Sequence, residues 1–325
     1  MLRRGLLGAG AAALAAPGMR PATAQAVWPT QPVRLIVPFA AGGPTDVPAR
    51  LFAERINENA AQRMIVENRT GAGVVVGTEA VAKAPKDGNT LLYTTVAHAV
   101  LRSLFPRLAF DPVKDLVPIA LVGVIPMIIT VNPNYPARTL LELQERLRAA
   151  SGGEDYASSG AGGALHLATE LMLRRFGVHG NHIPYRGTAA AMPDVLNGTI
   201  PLIVDGATSA VPFAQKGETR ALAVMDDRRL PQLPDVPTTA EAGFPGLIAY
   251  TWHMVIAPAG TPEPVIQAIN AAFNNAAKLP AVQERLGELA LRLVTDSTHA
   301  AAADDQHEET AKWEGLIREA NIQVN

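Results

Sequence analysis

Two glycine-rich stretches hold the residues best suited to chemistry. The first is Phe39-Ala40-Ala41-Gly42-Gly43-Pro44-Thr45-Asp46, and the second is Tyr156-Ala157-Ser158-Ser159-Gly160-Ala161-Gly162-Gly163. Each lies between an apolar run and a helix-like segment. A helix N-terminus presents unpaired N–H groups and the positive end of a dipole worth about half an elementary charge. Glycine lets such a backbone approach a ligand closely. The first stretch offers N–H groups from Ala41 to Asp46, including Gly42 and Gly43, with the Thr45 hydroxyl. The second offers the Ser158 and Ser159 hydroxyls and the N–H groups of Gly160, Ala161, Gly162 and Gly163. Two such loops can grip the two ends of one small anion, which points to carboxylate binding rather than catalysis. Neither contains Lys or Arg, so neutral dipoles would hold the anion. Each loop alone reads equally well as a tight turn between strand and helix.

Three further side chains stand near these loops. Asp205 ends the apolar run Ile200 to Val204; it can accept from a ligand hydroxyl or amine, or cap the next helix. His166 falls in the first turn after the second loop, and His98 follows a strand; each can reach a ligand or pack inside. Other chemistries find little support. His179 and His182 have a chelating interval, but no cysteine exists and no third ligand stands nearby, so no metal and no cofactor is expected. A Gly-x-Ser-x-Gly elbow is absent. Gly71-x-Gly73 leads to Gly77 at the wrong interval for a dinucleotide fingerprint, Leu165 stands where the second loop would need its third glycine, and no P-loop occurs. No nucleophile and base form a recognisable pair, so no catalytic residue is assigned.

The elements that must position these residues alternate between strand and helix. Val33 to Phe39, Arg63 to Glu67 and Thr90 to Thr95 read as strands, with helices from Thr45 to about Asn59 and from Thr78 to Lys83. Thr45 is the expected N-cap of the first helix, with Val47, Leu51, Phe52 and Ile56 on its buried face. Leu116 to Val131 contains Pro118 and Pro126 and reads as buried strands, with 121–131 crossing between domains. A second strand–loop–helix series follows: Asp155 to Ser158, the second loop, then Leu165 to Phe176. Leu247 to Ile256 returns the chain to the first domain. Such alternation specifies a parallel α/β sheet. Two like domains with a cleft between them follow, hinged near Val124 and Thr251. The charged stretch Asp304 to Glu319 reads as a solvated helix face.

Arg3-Arg4, the apolar Gly5 to Ala16 and Ala24-Gln25-Ala26 read as an export leader, so residues 1–26 are expected to be removed. Twin arginines fit either a general secretory or a twin-arginine leader. The 299 residues after position 26 suit two domains of roughly 150 residues. Beyond Ala26 no run of about 18 apolar residues occurs. Hydrophobic residues make up 48% of the chain, enough for large cores; the formal charge is −2 with no basic block, which argues against nucleic acid. With no cysteine, an exported fold rests on its core alone.

Several ordered motifs resemble those of the tripartite tricarboxylate transporter substrate-binding proteins, the Bug family. They are Pro32 to Phe39 with Gly42-Gly43 and Thr45-Asp46, Val66-Glu67-Asn68-Arg69-x-Gly71-Ala72-Gly73, Tyr156 to Gly160, His166-Leu167, Pro184-Tyr185-x-Gly187, Leu233 to Thr238, and Ala257 to Pro262. The resemblance implies a periplasmic binding protein of the type II kind: two α/β domains, 27–124 plus 251–325 and 125–250, joined by two crossover strands. It implies a small organic acid clamped between the domains and delivered to a membrane permease, with Phe39 to Asp46 and Ser158 to Gly163 on the carboxylates. Thr94, Thr95 and Asp205 sit where further contacts are expected. Two positions depart from the pattern: Pro44 removes an N–H, and Gly206 stands where a polar residue is usual. The same fold and pocket suit a sensor for a membrane signalling partner, or a secreted enzyme acting on a carboxylate. Monomer is the expected state.

Overall fold

In the computed structural model the described residues are 28–324; the expected leader lies outside them. The chain begins with strands β1 (Val33–Val37), β2 (Met64–Asn68) and β3 (Thr90–Thr94), connected by helices α1 (Asp46–Asn57) and α2 (Val75–Ala82). Both β2 and β3 pair parallel to β1, as strand–helix alternation requires. A 3-10 turn (Val96–His98) and the short α3 (Leu101–Leu104) lead to β4 (Leu116–Val131). Then come α4 (Leu140–Ala149), β5 (Glu154–Ser158), α5 (Ala164–Phe176), β6 (Gly180–Pro184), α6 (Thr188–Leu196), β7 (Leu202–Gly206), α7 (Ala207–Gln215) and β8 (Arg220–Val224). The last elements are β9 (Tyr250–Pro258), α8 (Glu263–Ala277), α9 (Pro280–Glu288), β10 (Arg292–Leu293) and α10 (His299–Glu319).

One curled sheet runs β2-β1-β3-β9-β4-β7-β5-β6, with β8 and β10 also paired to β4. Leu116 to Val131, read as several strands, is a single one. Bulges at Pro118/Ala120, Leu121/Gly123 and Ile129/Thr130 keep it continuous. The bulge at Pro118/Ala120 takes up the N–H missing at Pro118, and Pro126 falls where β4 leaves β9 for β7 and β8. From Leu116 to Pro126 it pairs antiparallel with β9; from Met127 onward its partners are β7 and β8. Pro126 faces Tyr250, and Met127 donates to the Ala249 carbonyl. Both crossovers therefore lie side by side, Pro126 two residues from the expected Val124 and Tyr250 one from the expected Thr251.

Because β4 and β9 are continuous, apolar side chains segregate by sheet face. One core contains Leu92, Met254 and Trp313 together with Tyr156, Leu167 and Val204. The other contains Leu35, Phe52 and Phe273 together with Ile128 and Ala210. Each core spans both halves.

Two local expectations need correction. In α1 the buried residues are Asp46, Pro48, Ala49, Phe52 and Ala53, with Val47, Leu51 and Ile56 only half-buried. The C-terminal helix α10 is not simply solvated. Ala302, Gln306, Glu309, Trp313, Leu316 and Ile317 form a buried stripe at helical spacing. Glu309 is tolerated inside because it accepts from Trp313 Nε1 (2.8 Å) and Lys312 Nζ (3.0 Å). An Arg174–Glu319 ion pair ties α10 to α5, so the last helix touches both halves.

Candidate ligand-binding site

Strand direction places the loops. β9 runs antiparallel to β3, so its first residue, Tyr250, lies toward the C-terminal ends of β1 and β3. β7 runs antiparallel to β4, with Gly206 opposite Met127 and Asp205 opposite Ile128. The C-terminal end of β7 thus meets the crossover from the other side, and β5 and β6 run parallel with it. The C-terminal strand ends of both halves point at the same crossover, from opposite directions. In open α/β sheets that edge is where ligands bind.

The first loop spans Pro38 to Thr45. Ala40, Ala41, Gly42 and Pro44 are exposed, Phe39 and Gly43 half-buried, Thr45 and Asp46 buried. Thr45 occupies the N-cap position without a capping bond, because its backbone is already helical. Asp46 does the organising instead. Its Oδ2 accepts from Gly42 N–H (2.7 Å) and Arg50 Nε (2.8 Å), and its Oδ1 from Asn68 Nδ2 (2.8 Å). Burial pushes this carboxyl's pKa up, but Arg50, Gly42 and Asn68 outweigh that and hold it below the usual range. The Gly43 and Asp46 N–H groups bond to the carbonyls of Ala40 and Gly43. Of the donors expected from Ala41 to Asp46, Ala41 and Thr45 keep N–H groups unengaged among the described residues. Gly42, at φ +75°, contributes a turn that other residues rarely make.

The second loop shows the same economy. Ser158, fully buried, accepts from Gly160 N–H (3.1 Å), donates to Gly160 O (3.2 Å) and pairs with His182 Nε2 (2.6 Å). Gly162 N–H donates to His166 Nδ1 (3.0 Å), and Gly163 N–H to Gly160 O (3.2 Å). Gly160 sits at φ +134°. Ser159 and Ala161 keep N–H groups unengaged among the described residues, as do the first-turn residues Ala164 to His166 of α5, whose cap is Gly163 with no side-chain bond.

His166 is therefore a support rather than an exposed donor. Its ring stacks on His182 with centroids 3.7 Å apart and planes 12° apart, and Tyr156 packs against both rings, 5.2 Å from His182 and 6.2 Å from His166. Its Nε2 stands 3.9 Å from Glu170. Burial, and then His182, pull its pKa down to about 3. That neutral state is the one that can accept from Gly162. His182 is also shifted down by burial. A serine–histidine pair that the sequence did not suggest is thus present. Fully buried Ser158, tied to the Gly160 peptide, presents no oxygen to a substrate.

Asp205 is 2% exposed. Its Oδ1 accepts from Gly206 N–H (2.8 Å) and Thr188 Oγ1 (3.3 Å), while its Oδ2 is buried without a partner. Burial raises its pKa to about 6; the Ser209 hydroxyl, Gly206 N–H and Thr188 hydroxyl limit the rise. Ser209 acts by proximity, without closing a hydrogen bond. Helix α7 is capped by Gly206, not by a side chain, so the capping alternative for Asp205 is not realised. Thr94, closing β3, is buried with Oγ1 unpartnered. Thr95 accepts from Ala97 N–H (3.4 Å) and caps the 3-10 turn. His98 is buried with both nitrogens unpartnered, and burial lowers its pKa to about 4.

Sequence reading passed over Trp252. It is 1% exposed, lies opposite Val124 at the crossover, and has an unpartnered Nε1. A tryptophan inside an apolar strand carries no signal beyond packing; only the unpaired N–H sets it apart. Arg186 was also passed over; it is exposed on the turn after β6, at the same edge. His179 is exposed while His182 is stacked inward, and no cluster of three or more metal-ligating side chains occurs among the described residues. Two open surface cavities, about 460 and 560 Å³, lie elsewhere, around Tyr135, Arg146 and Glu154 and around Arg102, Phe105 and Phe110.

Comparison with known proteins places this geometry in context. The family model described as tripartite tricarboxylate transporter family receptor matches residues 48–322. A UPF0065 protein from the tcbD-tcbE intergenic region of Pseudomonas sp. (strain P51) is 36% identical over 299 residues, covering 92% of this chain and 89% of that one. Protein BugT of Bordetella pertussis is 35% identical over 302 residues, covering 91% of each. Among solved structures, the periplasmic binding protein BugD is 33% identical with TM-score 0.78, covering 91% of this chain and 100% of that one. MatC from Rhodopseudomonas palustris, with bound malate, is 32% identical with TM-score 0.77, covering 89% and 100%. The R. palustris protein Rpa4515, with adipate, is 31% identical with TM-score 0.77, covering 91% and 100%.

Proposed function

The chain belongs to the tripartite tricarboxylate transporter receptor family, and from that premise we propose that it is an extracytoplasmic receptor for a small organic carboxylate. The observation that carries this is the pair of pre-folded loops, Phe39 to Asp46 and Ser158 to Gly163, at C-terminal strand ends that face one crossover from opposite sides. Donors on the first side are the N–H groups of Ala41 and Thr45 with the Thr45 hydroxyl. On the second side they are Ser159, Ala161 and the first turn of α5. Gly42, Gly43, Asp46, Gly160, Gly162, Gly163, Ser158 and His166 hold these donors in place, and Thr94, Thr95 and Asp205 line the same edge. The bound malate and adipate of the two R. palustris relatives support a carboxylate ligand.

Residues 27–124 with 251–325 form one domain and 125–250 the other, closing about Pro126 and Tyr250. Closure removes water from the acid and strengthens each N–H contact. The reading is non-catalytic: Ser158 is buried, and among the described residues no carboxylate bonds to His182. Residues 1–26 direct export to the periplasm, where a membrane permease of the tripartite tricarboxylate type receives the ligand from a monomeric receptor. Thermal unfolding of the purified protein against mono-, di- and tricarboxylates tests the binding step. A ligand at 100 times its Kd adds about 2.7 kcal/mol of stability. A selective rise with one acid is expected; turnover of a bound acid would contradict a receptor.

A further inference from the structure

Among the described residues, Asp205 is the carboxylate at the proposed ligand edge with one oxygen left without a hydrogen bond. The two carboxyl oxygens differ sharply. Oδ1 takes Gly206 N–H and the Thr188 hydroxyl, whereas Oδ2 is buried and closes no hydrogen bond, the Ser209 hydroxyl standing nearby. Asp46, at the corresponding edge of the other half, has donors on both oxygens. A buried acceptor left without a donor is costly and calls for a partner. Burial raises the pKa of Asp205 to about 6, which still leaves a carboxylate at neutral pH. Helices α6 and α7 begin at Thr188 and Ala207, so two positive helix ends converge on Asp205. No lysine or arginine contributes to its ionisation.

An unsubstituted alkyl acid brings only acceptor oxygens and C–H groups to such a position. Its negative charge gains nothing from an anionic oxygen already short of donors. A hydroxyl or ammonium group on the ligand supplies the missing proton. We propose that Oδ2 of Asp205 reads a hydrogen-bond donor on the ligand, so that this receptor takes hydroxy- or amino-substituted carboxylic acids ahead of unsubstituted acids of the same length. This rests on the carboxylate-receptor reading and adds the chemical class. A hydrogen bond to a charged acceptor, against the same acceptor left bare, corresponds to roughly 10- to 100-fold in affinity.

Titration calorimetry on the purified protein with matched series tests it: succinate, malate and aspartate, then propionate, lactate and alanine. At least one substituted member should bind 10-fold or more tighter than its unsubstituted parent. Malate and lactate against aspartate and alanine separate a hydroxyl from an ammonium donor. Asp205→Asn sharpens the test. Gly206 N–H and Thr188 hold an oxygen at Oδ1, so the amide nitrogen takes the Oδ2 position and turns an acceptor into a donor. In that variant the preference should collapse or invert. Equal binding of parents and substituted acids by wild type overturns the inference and leaves the carboxylate reading standing. So does an undiminished preference in Asp205→Asn. If no acid in either series binds, the carboxylate reading falls and takes this inference with it. The wild-type comparison decides alone should the variant not fold.

Discussion

Replacing Asp46 by alanine should loosen the first loop and destabilise the fold together. The carboxylate is acceptor for three donors: Gly42 N–H, Arg50 Nε and Asn68 Nδ2. The Arg50 side chain is 51% exposed, so it rehydrates and its loss costs at most about 1 kcal/mol. Gly42 N–H and the Asn68 amide are partly buried, and each loses a bond to a charged acceptor worth about 1.5–3 kcal/mol before water replaces part of it. The sum is about 3 kcal/mol, or a fall in Tm of about 6–12 °C for a chain near this size. The pH dependence follows from the sign of the shift. The folded carboxyl lies below its ordinary value of 3.8, so its contribution is complete above the unfolded value and fades as pH falls through the folded one. Urea unfolding of wild type and Asp46→Ala should show a constant gap at pH 8 and 5.5, narrowing at pH 3.5. Ligand affinity should drop at least 10-fold, because Ala41 and Thr45 lose their fixed positions. A gap under about 0.5 kcal/mol at pH 8, or one unchanged at pH 3.5, would rule out this role for Asp46.

In Gly160→Val, a side chain is forced into φ +134°; about 1–3 kcal/mol of stability should be lost and carboxylate binding abolished, as read by unfolding and calorimetry on one sample. Acid should destabilise the protein between pH 6.5 and about 4. His166 and His253 have folded values of about 3 and His98 about 4, so only the unfolded chain takes up protons in this window. Each contributes a loss of up to about 1.4 kcal/mol per pH unit as pH falls. Asp205 and Asp226, raised to about 6, work in the opposite direction over part of the range, and the histidines outnumber them. A urea midpoint that rises on acidification would sink this account. His98→Leu, which removes two unpartnered nitrogens, should raise stability at pH 6 and flatten the acid slope.

Strand and helix order was legible because apolar runs, glycine turns and amphipathic spacing are local signals. The helix from Leu165 to Phe176 follows from periodicity, one residue inside its observed start at Ala164. The unity of β4 was not legible: Pro118 and Pro126 read as breaks, and only pairing with β9, some 130 residues later, shows a bulge at the first and a change of partner strand just after the second. Both glycine loops were visible, but the roles within them were not. From spacing, Gly42, Gly43, Gly160 and Gly162 read as donors; in the fold their N–H groups are spent closing the turns. Which amides remain depends on Asp46, Ser158 and His166, side chains whose direction no local pattern encodes. His182 reaches Ser158 across the neighbouring strand, and Trp252 meets the crossover through β9, so both needed the register. Glu309 looked like one more surface charge until helical phase placed it with Trp313.

The most direct test of the two-loop grip is amide hydrogen exchange, with and without a bound carboxylate found in the thermal panel. Exchange should slow in both loops at once, at Ala41 and Thr45 and at Ser159, Ala161 and the first turn of α5. Protection in one loop alone, or around the Arg146 and Glu154 cavity instead, would contradict it.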